Sequence, residues 1–445
     1  MFEQMLRRMR RVAQVPERQS KMEEAIRLWS DMYHNRAPWL DGTVHSLNLP
    51  AMIASELARL STMELTSSVT GGKRADFLSA QYAPVLRDLR KITEFACAKG
   101  GVVLKPYVSG GGVAVDCVQA DCFLPTAFDS SGNLTGAVFA DCLTQGKAEF
   151  LRLERHSFVP QGYEIQNFAY EKSGNDWKEI PLQSVDKWAE LTPRLVVEHV
   201  KKPLFAYLKM PGANTVDAAS PLGASVYHRA TELIEQADRQ YSRLLWEFEG
   251  GELAIDASAE ALRYDEGNQA HLPRLNRRLF RGLEIDAGGQ DLYSIFAPAL
   301  RDESLINGLN ELLNRIEDAC GLARGTVSHP EGQIRTATEL KMMRQRSFAT
   351  VRDIQKSDEA ALEDLLYAMD VWTDVYRLAP RGSWEASFRF DDSVLTDRSA
   401  EFEEKKQLVD AGILSPWEFR MWYLGESEEQ AKAHLVMDAD HVKKA

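Results

Sequence analysis

Cysteine is scarce in this chain: Cys97, Cys117, Cys122, Cys142 and Cys320 are five residues in 445. So sparse and odd a set does not form a disulfide framework, and a reducing cytoplasm is the expected setting. Long apolar runs are also missing. No stretch approaches the roughly 20 apolar residues that a membrane helix needs. The opening MFEQMLRRMRRV is basic but has no apolar signal-peptide core. It reads as a solvated amphipathic helix, or as an arm that docks on a partner. GxGxxG, HExxH and GxSxG do not occur, which removes the commonest dinucleotide, metalloprotease and hydrolase signatures. Positive charge is in deficit, with 53 Lys and Arg against 66 Asp and Glu, a net charge of −13. Proteins that grip nucleic acid by its phosphates are usually basic, because Lys and Arg displace counterions. Ordinary tight DNA binding is therefore excluded. A protein that lets DNA slide past is not.

What the chain does have is bulk: 44% hydrophobic residues, enough for a sizeable core in two or three domain-sized units. The first hundred residues predict helices over Met22–Tyr33, Pro50–Leu65 and Ala75–Ala98, the last with Phe77, Leu78, Val85, Leu86, Leu89, Ile92 and Phe95 at helical spacing. From Gly101 to about Leu208 the texture changes to short β-rich runs between Gly- and Asn-containing turns, which predicts antiparallel sheet. Helices return at Ser220, a candidate N-cap with Pro221 at the first helical position. An apolar stripe runs from Tyr227 to Phe248 and stops at Gly250 and Gly251; the helix would be about 45 Å long. Residues 252–298 read as a small α/β excursion. A second helix follows over Asp302–Cys320, with Leu305, Leu309, Leu312, Ile316 and Ala319 as a narrow seam, closed by Gly321. After the polar loop LARGTVSHPEGQIR, Thr336–Leu378 contains neither Gly nor Pro and opens with a Thr336–Glu339 capping box. A straight helix of that length would reach about 60 Å. The strand SWEASFRF and acidic helical segments end the chain, one starting at a Ser415–Glu418 capping box and stopping at Gly425.

Several residue groups invite chemical readings. Cys117, Cys122, Cys142 and His156 cluster in the β region, but structural zinc sites pair their ligands closely and the last two form no close pair. Small buried strand residues are the favoured reading. GGKR at 71–74 has Arg74 where a phosphate loop needs Ser or Thr. Asp391 and Asp392 are strand neighbours and point to opposite faces, so a turn with Asp397 is favoured over a shared ion. Arg274, Arg277, Arg278 and Arg281 form a basic patch inside the excursion, either a solvated face or a docking surface for an acidic partner. No base, nucleophile and stabiliser stand together. No catalytic residue, cofactor or metal is expected.

Five segments, in order, resemble one family. DAGILSPWEFRMWYLGESEEQAKAHL, with FRFDDSVLTDRSAEFEEKKQLVDAG before it, is similar to the C-terminal signature of siphovirus-type portal proteins of tailed bacteriophages. IRTATEL, PLGASVYHRATELIEQAD and VDCVQADCFLPTAFDSSGNLTGAVF resemble the same family's long helix, first stem helix and wing strands. The resemblance covers roughly residues 100–440. Residues 251–301, with LPRLNRRLFRG, match no pattern of the family, and the first hundred residues match only in being helical.

The resemblance implies an α+β, mainly helical portal fold. Residues 1–100 would be the helical part of a wing and 101–219 its β-rich part. Residues 220–250 and 302–321 would be two stem helices, with a small α/β clip over 251–301 between them. Residues 322–335 would be a tunnel loop, 336–380 a long wing-spanning helix, and 381–445 a strand and helical crown. It also implies a ring of about twelve copies at one capsid vertex. The ring would be assembled in the host cytoplasm among major capsid and scaffolding proteins, and no membrane is involved. Double-stranded DNA would pass through it during packaging and ejection. The terminase large subunit would dock on it, and head-completion or adaptor proteins afterwards. The loop residues expected to touch DNA are Arg324, Thr326, His329, Gln333 and Arg335. The arginines expected to meet partners are Arg274, Arg277, Arg278 and Arg281. Two other readings stay open on residues alone: a cytosolic helical adaptor with a β insert, and a metal-dependent enzyme using the cysteine cluster or the Asp391–Asp392 pair.

Overall fold

Apolar periodicity switches between helical and alternating along the chain, and the elements follow it. The computed structural model describes residues 2–15, 20–174, 176–252, 254–258, 280–283, 293–329, 337–390, 398–424, 428 and 430–434. The first stretch holds α1 (Phe2–Ala13), α2 (Lys21–Tyr33), α3 (Leu49–Thr62), β1 (Leu65–Gly71) and α4 (Lys73–Lys99). Nine strands follow: β2 (Gly101–Ser109), β3 (Gly112–Gln119), β4 (Phe123–Phe128), β5 (Leu134–Gln145), β6 (Ala148–Val159), β7 (Gly162–Ser173), β8 (Asp176–Ile180), β9 (Arg194–Val197) and β10 (Ala206–Lys209). Then come α5 (Thr231–Gly250), β11 (Ala254–Ser258), β12 (Phe280–Leu283), β13 (Tyr293–Phe296), α6 (Asp302–Cys320), α7 (Ala337–Val375), β14 (Trp384–Phe390), α8 (Arg398–Asp410) and α9 (Pro416–Leu424). The fold is mixed α+β, as expected.

The β-rich region is two antiparallel sheets. One has the order β10-β2-β3; the other runs β4-β5-β6-β7-β8, with β9 also on β7. Gly110 and Gly111 both take positive φ in the β2–β3 turn, which a two-residue hairpin of matching twist requires. β5, β6 and β7 form the long centre of the larger sheet, with Ala137 opposite His156 and His156 opposite Ile165.

The N-terminal helix is not solvated. Met5, Leu6, Met9 and Ala13 of α1 are buried against Leu124, Val138, Leu151, Leu153, Tyr170 and Trp177 of the larger sheet. Arg8 is tied there too, reaching Asp176 at 2.9 Å and the Trp177 carbonyl at 2.6 Å. The sequence shows the two faces of α1 but not the apolar sheet face waiting for one of them.

Two more expectations need correction. The helix expected from Ser220 begins at Thr231, so its twenty residues span about 30 Å. Residues 220–226 stay outside the helix because they are bonded elsewhere: the Val226 N–H donates to Cys97 O at 2.9 Å and the Ser225 hydroxyl to the same oxygen at 3.3 Å. Gly223 lies so close to the Gly100 backbone that no side chain fits between them. Strand β1 was not foreseen; it pairs with β14, and the Ser68 and Ser387 hydroxyls meet at 2.9 Å. In the excursion the described residues form a small sheet, β12-β11-β13, with β11 parallel to β12 and antiparallel to β13. Thr336 of the first capping box, Asp391, Asp392, Asp397 and Gly425 lie outside the described residues.

The chain divides into two units, one of residues 1–63 and 68–387, the other of 64–67 and 388–445. In the first, α7 lies along α3, α4, β2 and β10. It buries Val351, Ile354, Ala361, Leu362, Leu365, Leu366, Met369 and Trp372, each fully buried Leu or Met contributing roughly 1.5–3 kcal/mol. The second unit holds α8 and α9. Phe402 packs on Phe419 and Tyr423, with ring centroids 5.3 and 5.0 Å away. The Ser415 N–H donates to the Glu418 carboxylate at 2.8 Å, the backbone half of the expected capping box.

Candidate functional site

The candidate loop leaves α6 at Gly321, whose φ of 71° ends the helix in the left-handed conformation. A side chain there would run into Thr350 of α7. Thr350 instead donates its hydroxyl to the Gly321 carbonyl at 3.1 Å, and the Ala323 N–H donates to the Ser347 hydroxyl at 2.6 Å. The first residues of the loop are thus pinned to α7.

The rest of the described loop is organised around Glu317, which is fully buried in the last turn of α6. Its carboxylate accepts the N–H groups of Val327 at 2.6 Å, Ser328 at 2.9 Å and Gly325 at 3.2 Å, and the Ser328 hydroxyl at 2.7 Å. Asn310, two turns earlier, accepts the His329 N–H at 2.7 Å and donates back to its carbonyl at 3.3 Å. Loop residues 321–329 are therefore a built turn, not a slack connector.

Of the predicted loop contacts, Arg324 and His329 are exposed. Arg324 is paired with Asp318 at 2.7 Å, and that hydrogen bond together with the Asp318 charge raises its pKa further. Thr326 is half-buried and donates its hydroxyl to Ala323 O at 2.5 Å. Gln333 and Arg335 lie outside the described residues. So do Arg274, Arg277 and Arg278. Arg281 lies on β12, in register with Asp256 of β11. At the base of that excursion Glu247 of α5 accepts the Arg301 N–H at 3.0 Å and its guanidinium at 2.7 and 3.1 Å, closing the α5 and α6 ends together.

Glu317, Asn310, Ser347 and Thr350 were not picked out from the sequence. One signal was available for Glu317. An acidic residue in the last turn opposes the helix dipole, and α6 has no basic residue there.

The residues weighed as metal ligands have other work. His156 is buried, with Nε2 2.7 Å from the Glu154 carboxylate and Nδ1 3.1 Å from the Tyr163 hydroxyl. Lys105 donates to the same Glu154 at 2.6 Å. Burial works to raise the Glu154 pKa, but Lys105, His156 and Arg152 together hold it well below the usual carboxylate range. Burial pushes the Cys117 thiol up to about 11 and Cys122 to about 12, away from the thiolate that binds metals. Among the described residues no cluster of His, Cys, Asp and Glu is placed to hold a metal ion. Arg74 of the GGKR segment is buried and bonded to Asp370 at 2.6 Å and Asp374 at 2.8 Å of α7, so it ties two helices together. No helix among the described residues is long and apolar enough to cross a membrane.

The family model "Phage portal protein, SPP1 Gp6-like" matches residues 86–441. No curated protein matches. Among solved structures, a chain of "Neck of native GTA particle computed with C12 symmetry" is similar over 84% of this chain and 89% of that one, with 13% identity and a TM-score of 0.41. The family match starts inside α4 and runs through α9, taking in both sheets, the α5 and α6 pair and the Glu317-anchored loop. It is a family of structural proteins of phage particles. The chain belongs to the SPP1 Gp6-like phage portal proteins.

Proposed function

We propose that this portal subunit closes with about eleven copies of itself into a ring at one capsid vertex, that duplex DNA passes through the centre, and that the protein catalyses nothing. The family match over residues 86–441 carries this reading. Apolar surface supports it. Trp246 and Phe248 of α5 and Ile306 of α6 are 65%, 42% and 45% exposed, more than a two-helix pair can cover by itself. In this reading α1–α4 and the two sheets are the wing, and α5 and α6 the stem. Residues 251–301 are the clip, and residues 381–445, with β14, α8 and α9, the strand and crown. The loop from Leu322 to Arg335 faces the DNA, with Arg324, Thr326, His329, Gln333 and Arg335 making passing contacts. An acidic chain suits that task, because repulsion of phosphate keeps DNA from sticking to the wall. The clip arginines meet the terminase large subunit during packaging and head-completion proteins afterwards.

Electron-microscopic reconstruction of the purified protein tests the reading. The expected result is a ring with a central hole and residues 322–335 on its inner wall. A monomer or small oligomer would instead favour a helical adaptor, and a ring with this loop turned away from the axis would remove its role at the DNA.

A further inference from the structure

α7 crosses α4 at a site that is apolar except for a few groups. Asp358 is 0% exposed there, and Gln355, one turn earlier on the same face, 4%. The Asp358 Oδ1 accepts the Thr93 hydroxyl of α4 at 3.0 Å. Its Oδ2 has no hydrogen-bond partner, and neither has the Gln355 Oε1. Two buried acceptors without donors, three residues apart on one helix, have a common remedy. A proton on Oδ2 turns that atom into a donor, which Oε1 can accept.

The surroundings favour the neutral acid. From α4 the facing groups are Thr93 and the buried thiol of Cys97, with Glu94 beyond it bonded to Tyr33. β2 and β10 present Val102, Leu104, Ala206 and Leu208, all buried, and α3 packs on α7 with Ile53, Ala54 and Leu57 buried. The nearest cation on β2, Lys105, is bonded to Glu154 instead. Among the described residues no Lys, Arg or His pairs with Asp358. Burial pushes its carboxyl up to about 7, against a smaller lowering by the Thr93 hydrogen bond.

We propose that Asp358 is a carboxylic acid in the folded protein, hydrogen-bonded through Oδ2 to the Gln355 Oε1, and that losing this proton loosens α7 from α4. Because Ser347 and Thr350 of the same helix hold the start of the 321–329 loop, the loosening is transmitted to that loop. The inference needs neither the ring nor the DNA channel.

The sign follows from linkage. The folded state holds this proton more tightly than the unfolded chain, so stability falls as pH rises from about 3.8 to about 7 and is level above. The test uses the full-length protein and its Asp358→Asn variant, with urea midpoints and hydrogen exchange of α4, α7 and the loop between about pH 5 and 9. The wild type should lose midpoint and exchange protection relative to the variant as pH rises, because the amide donates to Gln355 without titrating. A constant difference between the two overturns the proposal. Infrared spectra of the wild type and Gln355→Leu give a reading that does not need Asp358→Asn to fold. A protonated-carboxyl C=O band at about pH 6 that shifts in Gln355→Leu supports the pairing. A missing or unmoved band overturns it.

Discussion

A carboxylate in the last turn of a helix repels the exposed carbonyls there, and Glu317 is tolerated because the loop folds back to supply donors. Four hydrogen bonds converge on its two oxygens, three from backbone N–H groups that have no helix or sheet to join. Truncation to Ala would leave several buried donors unpaired. At about 1–3 kcal/mol for each unsatisfied group, Glu317→Ala should cost at least about 3 kcal/mol. Glu317→Gln, which keeps one acceptor oxygen, should cost less. Denaturant titration of both variants reads the difference, and equal losses would show that the carboxylate does not organise the loop. Arg324 shows the opposite case. As a loop arginine it looks free in the sequence, but Asp318, six residues before it, already holds its guanidinium. A DNA phosphate would have to compete with that pair.

At the scale of elements, the same apolar stripe can be a solvent-facing helix or a docked one, and only the partner surface decides. For α1 that surface is the larger sheet, and Met9 is completely buried in it. Met9→Ala should therefore cost about 2–5 kcal/mol by thermal or urea denaturation. A loss under about 0.5 kcal/mol, as for exposed sites, would mean that the helix is a loose arm. The opposite error occurred at Ser220. Ser-Pro before an apolar stripe is a sound helix start, yet the Val226 N–H and the Ser225 hydroxyl bond to Cys97 O near the end of α4, and the Gly223 N–H bonds to the Tyr207 hydroxyl of β10. The helix gives way to those contacts, and the Ser220 hydroxyl accepts the Leu222 N–H in a local turn while its N–H donates to Asp217 O. Helix α7, Ala337–Val375, lies within the span that has neither Gly nor Pro, where little else interrupts helical periodicity. What it packs against, and its tie to Arg74, came from the tertiary structure.

At the scale of the molecule the governing quantity is charge. In the proposed ring, a net −13 per copy would make an acidic particle with few basic places. The arginines at 274, 277, 278 and 281 are one such place. Rim charges act mainly on association with partners, not on the fold. Reversing all four to Glu should leave the ring intact in electron micrographs and weaken capture of a terminase by about tenfold or more, read by surface-immobilised binding. Unchanged capture would remove the clip from the docking surface. Failure to assemble would place these arginines in the ring contacts.

The sequence by itself determined the local structure and the family. Turn glycines at 110 and 111, the gap without Gly or Pro in α7, and the seam of α6 are local signals, because hairpin twist and helix periodicity depend on near neighbours. The C-terminal segments and the strand segment at 115–139 sufficed to show the resemblance to portal proteins. The tertiary structure decided everything that joins residues far apart in sequence. It folded α1 onto the sheet, moved the start of α5, paired β1 with β14, put Arg74 on α7 and set Asp358 against Thr93. Each of these depends on which surface or partner atom the chain brings within bonding distance, and no local pattern carries that information. The loop shows both levels at once. Its position between two helices was legible, while the Glu317 anchor that shapes it appears only when the chain turns back on itself.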